Sequence, residues 1–437
     1  MLRALSRPAT RLMERWLPDA FIFVIVLTLV AALAAIVSEG TNPVDLIRMW
    51  GNGFWELLAF SMQMLLVLVT GFILASSPPV RKILQRLAGL ATSRGSAIIL
   101  VSVVSLAASW INWGFGLVVG AIFAKELARQ IKVDYRLLVA AAYSGFVIWH
   151  GGMSGSIPLT IATPGHFTEA EIGVISTSDT IFSVWNLAIV AALFIIVPLV
   201  NRGMLPPESE QVLVDPAKLG NDAAPAPLPA NATPAERLEN SRLLMWAIGI
   251  PGVIWLALHF IGGGAINLNV VNFLFLFVGI LCHGTARSLL AALDEGVRGG
   301  AGIVIQFPFY AGIMAIMTQS GLAASLSEWF VSISTATTLP FWSFISAGIV
   351  NIFVPSGGGQ WAVQAPVMLP AAAALGADMP RVVMGVAWGD AWTNLLQPFW
   401  ALPMLGIAGL KPRDIMGFCV VHLLITGLVI GGLLLLL

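Results

Sequence analysis

Residues 95–124 read GSAIILVSVVSLAASWINWGFGLVVGAIFA. Basic residues stand on both sides of this stretch: Arg81, Lys82, Arg86 and Arg94 before it, Lys125, Arg129, Lys132 and Arg136 after it. By the positive-inside rule both ends lie on the cytoplasmic side. One membrane crossing needs about 20 residues, so two crossings do not fit into this run. The stretch therefore dips into the bilayer and returns as a re-entrant hairpin, with Asn112-Trp-Gly-Phe-Gly116 at the point where the helix breaks.

The rest of the chain supports a membrane setting. Apolar residues make up 58% of the 437 and charged residues 10%, against roughly 25% charged in soluble proteins. Mean hydropathy is +0.90. A chain so poor in charge has no polar coat for water. Lys+Arg and Asp+Glu are both 22, so no basic excess exists to hold nucleic acid. Cys282 and Cys419, the two cysteines, cannot build a disulfide framework or a closed zinc site. Alternating ten-residue strands are absent, which argues against an outer-membrane barrel. The expectation is an all-α polytopic membrane protein.

The first apolar run, Ala20 to Val37, follows Arg3, Arg7, Arg11 and Arg15. It is longer than a signal-peptide core and reads as an uncleaved span with a cytoplasmic N-terminus. Further along, a broken span over about 137–165 is interrupted by His150-Gly-Gly-Met-Ser-Gly-Ser-Ile-Pro158. Residues 201–242 are polar and hold seven prolines between Pro206 and Pro234, which suits a flexible cytoplasmic linker. A second apolar hairpin over about 340–374 is interrupted at Val354-Pro-Ser-Gly-Gly-Gly-Gln360. A second broken span over about 382–410 is interrupted at Asn394-Leu-Leu-Gln-Pro398.

The two halves repeat one order of parts. Residues 1–200 give span, amphipathic stretch (42–50), span (54–76), amphipathic stretch (79–91), hairpin, broken span and span. Residues 243–437 give an extra span at 243–261, then span (268–282), amphipathic stretch (286–298), span (300–320), amphipathic stretch (322–334), hairpin, broken span and span. The extra crossing reverses the second set. This is the pattern of two inverted-topology repeats, each with a re-entrant hairpin and a broken transmembrane helix. In secondary transporters such breaks frame a site near the bilayer midplane.

Irregular backbone at that depth survives only where it lines a cavity or is buried in protein. Half-helix N-termini then offer N–H donors to an anion, and freed carbonyls suit a cation. The candidate substrate- or ion-binding residues are Asn112, Trp113 and Gly114 at the first break. His150, Gly151, Gly152, Ser154 and Ser156 stand at the second, and Ser356, Gly357, Gly358, Gly359 and Gln360 at the third. Asp390, Asn394 and Gln397 belong to the fourth. Asp390 is an acid inside a span, and such acids are costly and functional by default; the competing reading is a pair with an interior donor. His150 titrates near neutral pH when unperturbed, but serves equally as a hydrogen-bonded structural residue. The amides and hydroxyls at Asn112, Ser356 and Asn394 suit Na⁺; they equally suit helix capping. Of the fifteen tryptophans, Trp110, Trp113, Trp149, Trp361, Trp388, Trp392 and Trp400 fall near the breaks, where some can wall an acyl pocket.

Two other motifs are weaker. Gly152-Met-Ser154-Gly155 is like the nucleophile motif of intramembrane serine proteases, but a nucleophile needs a base within reach. Gly116-Leu-Val-Val-Gly120 is a G-x-x-x-G, which close helix packing explains.

Trp110-Ile-Asn-Trp-Gly-Phe-Gly-Leu-Val-Val-Gly120, Gly155-Ser-Ile-Pro158, Phe307-Pro-Phe-Tyr-Ala-Gly312 and Val354-Pro-Ser-Gly-Gly-Gly-Gln360 resemble the short-chain fatty acid transporter family, the acetoacetate and butyrate permease type. So do Gln397-Pro-Phe-Trp-Ala-Leu-Pro403, Arg413-Asp-Ile-Met-Gly417, Met49-Trp-Gly51 and Glu236-Arg-Leu-Glu239, so that the likeness covers nearly the whole chain. The resemblance implies uptake of short-chain fatty acids across the bacterial inner membrane. It also implies a place in the ion-transporter superfamily, whose members often use an elevator motion and a homodimer. The absence of a P-loop argues against ATP drive, so an H⁺ or Na⁺ gradient is the expected energy source. No Lys or Arg stands at any break, which suits a monoanion whose charge a co-bound H⁺ or Na⁺ balances. A passive monocarboxylate channel and an intramembrane serine hydrolase are the alternatives; no enzymatic activity and no other cofactor are expected.

Overall fold

The computed structural model describes residues 20–219, 231–352 and 354–437. The four N-terminal arginines, and with them the expected cytoplasmic N-terminus, lie outside the described residues, as does the middle of the Pro-rich linker. Every regular element among the described residues is helical. In lipid this follows from the need to pair each backbone group within its own segment. Among the described residues, eight helices are long and apolar enough to cross a membrane by length and composition.

The first repeat opens with α1 (Ala20–Glu39), α2 (Pro43–Gly53), α3 (Leu58–Ala75) and α4 (Pro78–Ala88). The hairpin follows as α5 (Arg94–Ile111) and α6 (Trp113–Gln130). Its arms run antiparallel. A Cβ on Gly116 would lie 2.3 Å from Ser109 Oγ and 2.5 Å from Ser109 Cα, and one on Gly120 would lie 2.7 Å from Ser105 Oγ. The G-x-x-x-G is thus the seam between the arms. The break is narrower than the expected 112–116: Asn112 alone is extended (φ −156°, ψ 129°), and Trp113 already begins α6.

The broken span starts at α7 (Tyr135–Ser144) and tightens into a 3-10 helix over Gly145–Gly151. After the irregular residues 152–155 it resumes as α8 (Ser156–Ile161). His150 and Gly151, expected to unwind, remain in the 3-10 turn. A 3-10 helix keeps i→i+3 pairing where α geometry fails, so the unwinding narrows to the four residues after it. There a Cβ on Gly152 would meet Trp110 O at 2.2 Å, so only glycine fits. A short turn, α9 (Glu169–Ile172), leads to the span α10 (Val184–Gly203), after which α11 (Pro234–Glu239) ends the linker.

An additional span, α12 (Arg242–Ile261), separates the repeats. The second repeat runs α13 (Leu268–His283), α14 (Ala286–Ser320), α15 (Leu322–Ile333), then the hairpin α16 (Leu339–Val350) and α17 (Gly357–Leu375). The broken span is α18 (Met379–Thr393), a 3-10 turn over Asn394–Leu396, extended Gln397 and α19 (Pro398–Ala408); α20 (Pro412–Leu436) ends the chain. The second hairpin is also antiparallel: Gln360 Nε2 donates to Ala347 O at 2.7 Å and Gln364 Nε2 to Ser346 Oγ at 3.0 Å. A further expectation fails. The amphipathic stretch at 286–298 and the span at 300–320 form one continuous helix. Gly299-Gly300 costs a helix only about 1 kcal/mol per residue relative to Ala, and Gly300 lets Leu65 of α3 approach.

The internal repeat is visible residue by residue. A constant spacing of 244 residues relates Gly40 to Gly284, both left-handed at helix ends. The same spacing relates Ser77 to Gly321 at the starts of α4 and α15. It relates Asn112 to Ser356, the caps of the second hairpin arms, and Asp134 to Asp378, the caps of the broken spans. In each repeat the first hairpin arm lies parallel to the broken span at glycine contacts. Gly145 faces Ser105 and Leu106; Gly385 and Gly389 face Pro340 and Phe344.

Candidate functional site

The two hairpin tips and the first broken span enclose a small cavity. Trp113 comes from the first tip, and Pro355, Ser356, Gly357 and Gly358 from the second. Trp149 and Ser156 flank the first break, and Trp400 comes from α19. Met64, Ile303, Gln306 and Phe307 close it from α3 and α14. Counted as room for the centre of a water molecule, its volume is about 20 Å³, space for about one water. No charged side chain lines it.

The chemistry of the wall is that of a donor surface. Ser356 caps α17, its Oγ accepting from Gly359 N at 3.3 Å. A helix leaves its first N–H groups without intrahelical partners, so Gly357 and Gly358 present theirs at the positive end of the helix dipole. The indole Nε1 groups of Trp113 and Trp149 have no hydrogen-bond partner among the described residues, although the two side chains are only 2% and 1% exposed. A buried donor left unpaired costs about 1–3 kcal/mol, so these groups call for an acceptor. The glycines bring the tip up against neighbouring rings. A Cβ on Gly357 would lie 2.4 Å from His150 Nε2, one on Gly358 2.6 Å from the Phe60 ring and one on Gly359 2.4 Å from the Tyr310 ring.

Behind this wall lies a sealed polar cluster. His150 Nε2 and Asp390 Oδ2 are 3.1 Å apart, and both side chains are fully buried. Asn394 Nδ2 donates to the same Oδ2 at 3.1 Å. Asn351, at the end of α16, donates through Nδ2 to Asp390 O, Thr393 Oγ1 and Asn394 Oδ1 at 2.8–2.9 Å. Gln397 Nε2 in turn donates to Asn351 O. Tyr143 OH donates to Asn394 O at 2.6 Å, which ties the first broken span to the second.

The expected residues fall into three groups. Trp113, Ser156, Ser356, Gly357 and Gly358 line the cavity. His150, Asp390, Asn394 and Gln397 form the cluster behind it. The others serve local structure. Asn112 Oδ1 caps Phe115 N at 2.9 Å and packs against Gly71, away from the cavity. Gly114 packs on Leu68, Gly151 O accepts from Trp110 Nε1 and Asn186 Nδ2, and Gly152 rests on Trp110. Ser154 Oγ accepts from Trp113 N at 2.8 Å. Gln360 is spent within the hairpin on Ala347 and Gln364. Of the seven tryptophans near the breaks, Trp113, Trp149 and Trp400 line the cavity. Sequence reasoning missed Gln306, a polar residue in the apolar run before Phe307-Pro308, and Asn351, which sits just before a break. It also missed Asn201 and His422, paired at 2.7 Å in the interior.

The fold is that of a membrane transporter already seen in a crystal. The chain superposes on the YdaH transporter of Alcanivorax borkumensis, whose structure is described as revealing an unusual topology, with a TM-score of 0.60. The alignment covers 96% of this chain and 97% of that one at 16% identity. Sequence is more specific. Residues 1–437 match the family described as Short chain fatty acid transporter, and the chain belongs to that family. A protein of Escherichia coli (strain K12) is 46% identical over 432 residues, covering 98% of each chain. One of Haemophilus influenzae (strain ATCC 51907 / DSM 11121 / KW20 / Rd) is 44% identical over 436 residues, again covering 98% of each. Both carry names that assign them provisionally to short-chain fatty acid transport, and family and relatives are named as transporters rather than enzymes.

Proposed function

We propose that this protein is a secondary active transporter that takes up short-chain monocarboxylates of the butyrate and acetoacetate type, together with H⁺ or Na⁺, across the bacterial inner membrane. The observation that carries the reading is the set of unpaired donors around one cavity. The carboxylate docks on the N–H groups of Gly357 and Gly358, beside Ser356, and takes the indole N–H groups of Trp113 and Trp149. The acyl chain rests on Met64, Ile303, Phe307 and Trp400. A wall without Lys or Arg favours a monoanion over a dicarboxylate. The cavity has room for about one water, so the tips part to admit substrate; family resemblance points to an elevator motion of the hairpins and to a homodimer. Asn112 and Ser356 spend their oxygens as caps, which moves the oxygen-rich candidate Na⁺ position toward Asn351, Gln397 and Asn394. The unpartnered Oδ1 of Asn351 and Oε1 of Gln397 lie there.

The test is uptake of labelled butyrate and acetoacetate into proteoliposomes, with Na⁺ and proton gradients imposed separately. Accumulation under one gradient is expected. Equilibration under both would establish a facilitator or channel instead. Labelling of Ser154 by a fluorophosphonate would revive the hydrolase reading; the expected outcome is none, because its Oγ holds the Trp113 N–H and the His150 ring is engaged with Asp390.

A further inference from the structure

We infer that the coupling ion is a proton, that the His150–Asp390 pair carries it, and that one proton accompanies each carboxylate so that the cycle is electroneutral. The inference rests on the reading of the cavity as a carboxylate site. Its starting point is the contact itself. Two ionisable side chains from opposite repeats meet at 3.1 Å with no solvent exposure. Asn394 adds a second donor to the same oxygen. The remaining heteroatoms, Asp390 Oδ1 and His150 Nδ1, have no partner among the described residues. The pair therefore holds its shared position and keeps a free site on either residue where a proton can be gained or lost.

The pair lies directly behind the cavity wall. Gly357 lines the cavity, and the position of its absent Cβ is 2.4 Å from His150 Nε2. Trp149, also in the wall, has its ring centroid 3.6 Å from that of His150. An anion at the second tip is thus one layer of atoms from His150, and Asp390 lies just beyond that ring. With the pair deprotonated, two negative charges would face each other in a low-dielectric setting with no cation in the wall, an arrangement proteins avoid. One proton on the pair removes this conflict. The groups facing it from the packed elements do not supply the charge. Asn351 of α16, Gly357 of α17 and Asn186 of α10 are neutral, and the Asn186 amide is spent on Trp388 Nε1, Gly151 O and Ile181 O. Tyr310 of α14 is the further titratable group within electrostatic reach of Asp390, and it is not a cation.

The charge count then closes. On the outside the pair gains one proton and the tip one carboxylate; on the inside both leave. The loaded and the empty carrier have the same net charge, so the charge moved in one direction equals the charge moved back and membrane potential does no net work over the cycle. An imidazole against the carboxylate favours a proton over Na⁺, which takes oxygen ligands.

The experiment uses the full chain in proteoliposomes with labelled acetoacetate. Protein-free liposomes set the baseline, because short acids cross lipid in protonated form. A pH gradient, inside alkaline, is expected to drive an initial rate of accumulation at least tenfold above that baseline, the end point being the same for symport and for diffusion of the free acid. Na⁺ and an imposed potassium diffusion potential should change nothing. Asp390→Asn and His150→Gln should lose the pH-driven accumulation and the pH dependence of uptake, while exchange of labelled for unlabelled acetoacetate persists. Na⁺-driven accumulation indifferent to pH would overturn the proposal in favour of the amide oxygens of Asn351 and Gln397. Dependence on membrane potential would overturn electroneutrality, and unchanged pH dependence in both variants would overturn the assignment to the pair. If neither variant folds, proton influx accompanying acetoacetate into wild-type vesicles, read by an internal pH dye, decides by its ratio: one to one supports the proposal and zero sinks it. Failure of wild-type exchange would instead sink the carboxylate-site reading.

Discussion

The two hairpin tips are the same element repeated at one spacing, yet the protein treats them differently. At the first tip the protein meets the needs of its backbone and leaves the Trp113 indole as the donor without a partner among the described residues. Ser154 takes the N–H of Trp113, Asn112 caps Phe115, and Gly71 and Leu68 press on the tip from α3. At the second tip Ser356 caps Gly359, while Gly357 and Gly358, at a helix start where N–H groups lack intrahelical partners, line the cavity. One copy is fixed by contacts to its own neighbours, and the other lays a helix start along the cavity. The difference teaches that fold symmetry sets where the two tips lie, while the pairing of a few backbone donors makes them chemically unequal.

The contrast breaks most sharply by adding bulk. Gly116→Val at the first hairpin drives a side chain into the backbone of Ser109, which cannot yield. The expected cost exceeds about 3 kcal/mol, visible as loss of monodisperse protein in detergent. Gly357→Val at the second tip meets ring atoms of His150 and Trp149, which can move. That variant should fold and lose acetoacetate binding and transport. Next in size, Trp149→Phe removes one unpaired donor and keeps the aromatic bulk. A hydrogen bond to a charged group is worth about 1.5–3 kcal/mol, so KM for acetoacetate should rise at least about tenfold, with thermal stability unchanged or raised. Smallest are the caps. Asn112→Ala and Ser356→Ala each remove a cap worth about 1 kcal/mol. Both should lower the melting midpoint slightly, but only Ser356→Ala should also raise KM, by a few-fold. Equal effects on KM would erase the distinction between the tips.

Much of this architecture was legible because its causes are local. Basic clusters on both sides of residues 95–124 forced a hairpin, and Pro-Ser-Gly-Gly-Gly at 355–359 marked a helix start that only glycine allows. What stayed hidden depends on what packs against what. Asn112 and Trp113 are neighbours, and no periodicity says that the indole, not the amide, reaches the cavity. The stretches 286–298 and 300–320 differ in polarity and so read as two elements; packing of Gly300 on α3 belongs to one continuous helix. Asn351 stands just before the Val354-Pro-Ser-Gly break, and its three hydrogen bonds reach residues 39 to 43 positions away. The partnership of His150 with Asp390 spans 240 residues, beyond any motif.

The helix between the repeats contributes in a different way. α12 belongs to a segment whose best membrane window is only 22% buried, so it adds little to the core. Its contribution is parity: an odd crossing turns a direct repeat into a mirrored one. Without it both hairpins would open to the same side, and a substrate would find two doors on one face and none on the other. The least packed span in the middle of the chain is thereby what makes a passage out of a duplication.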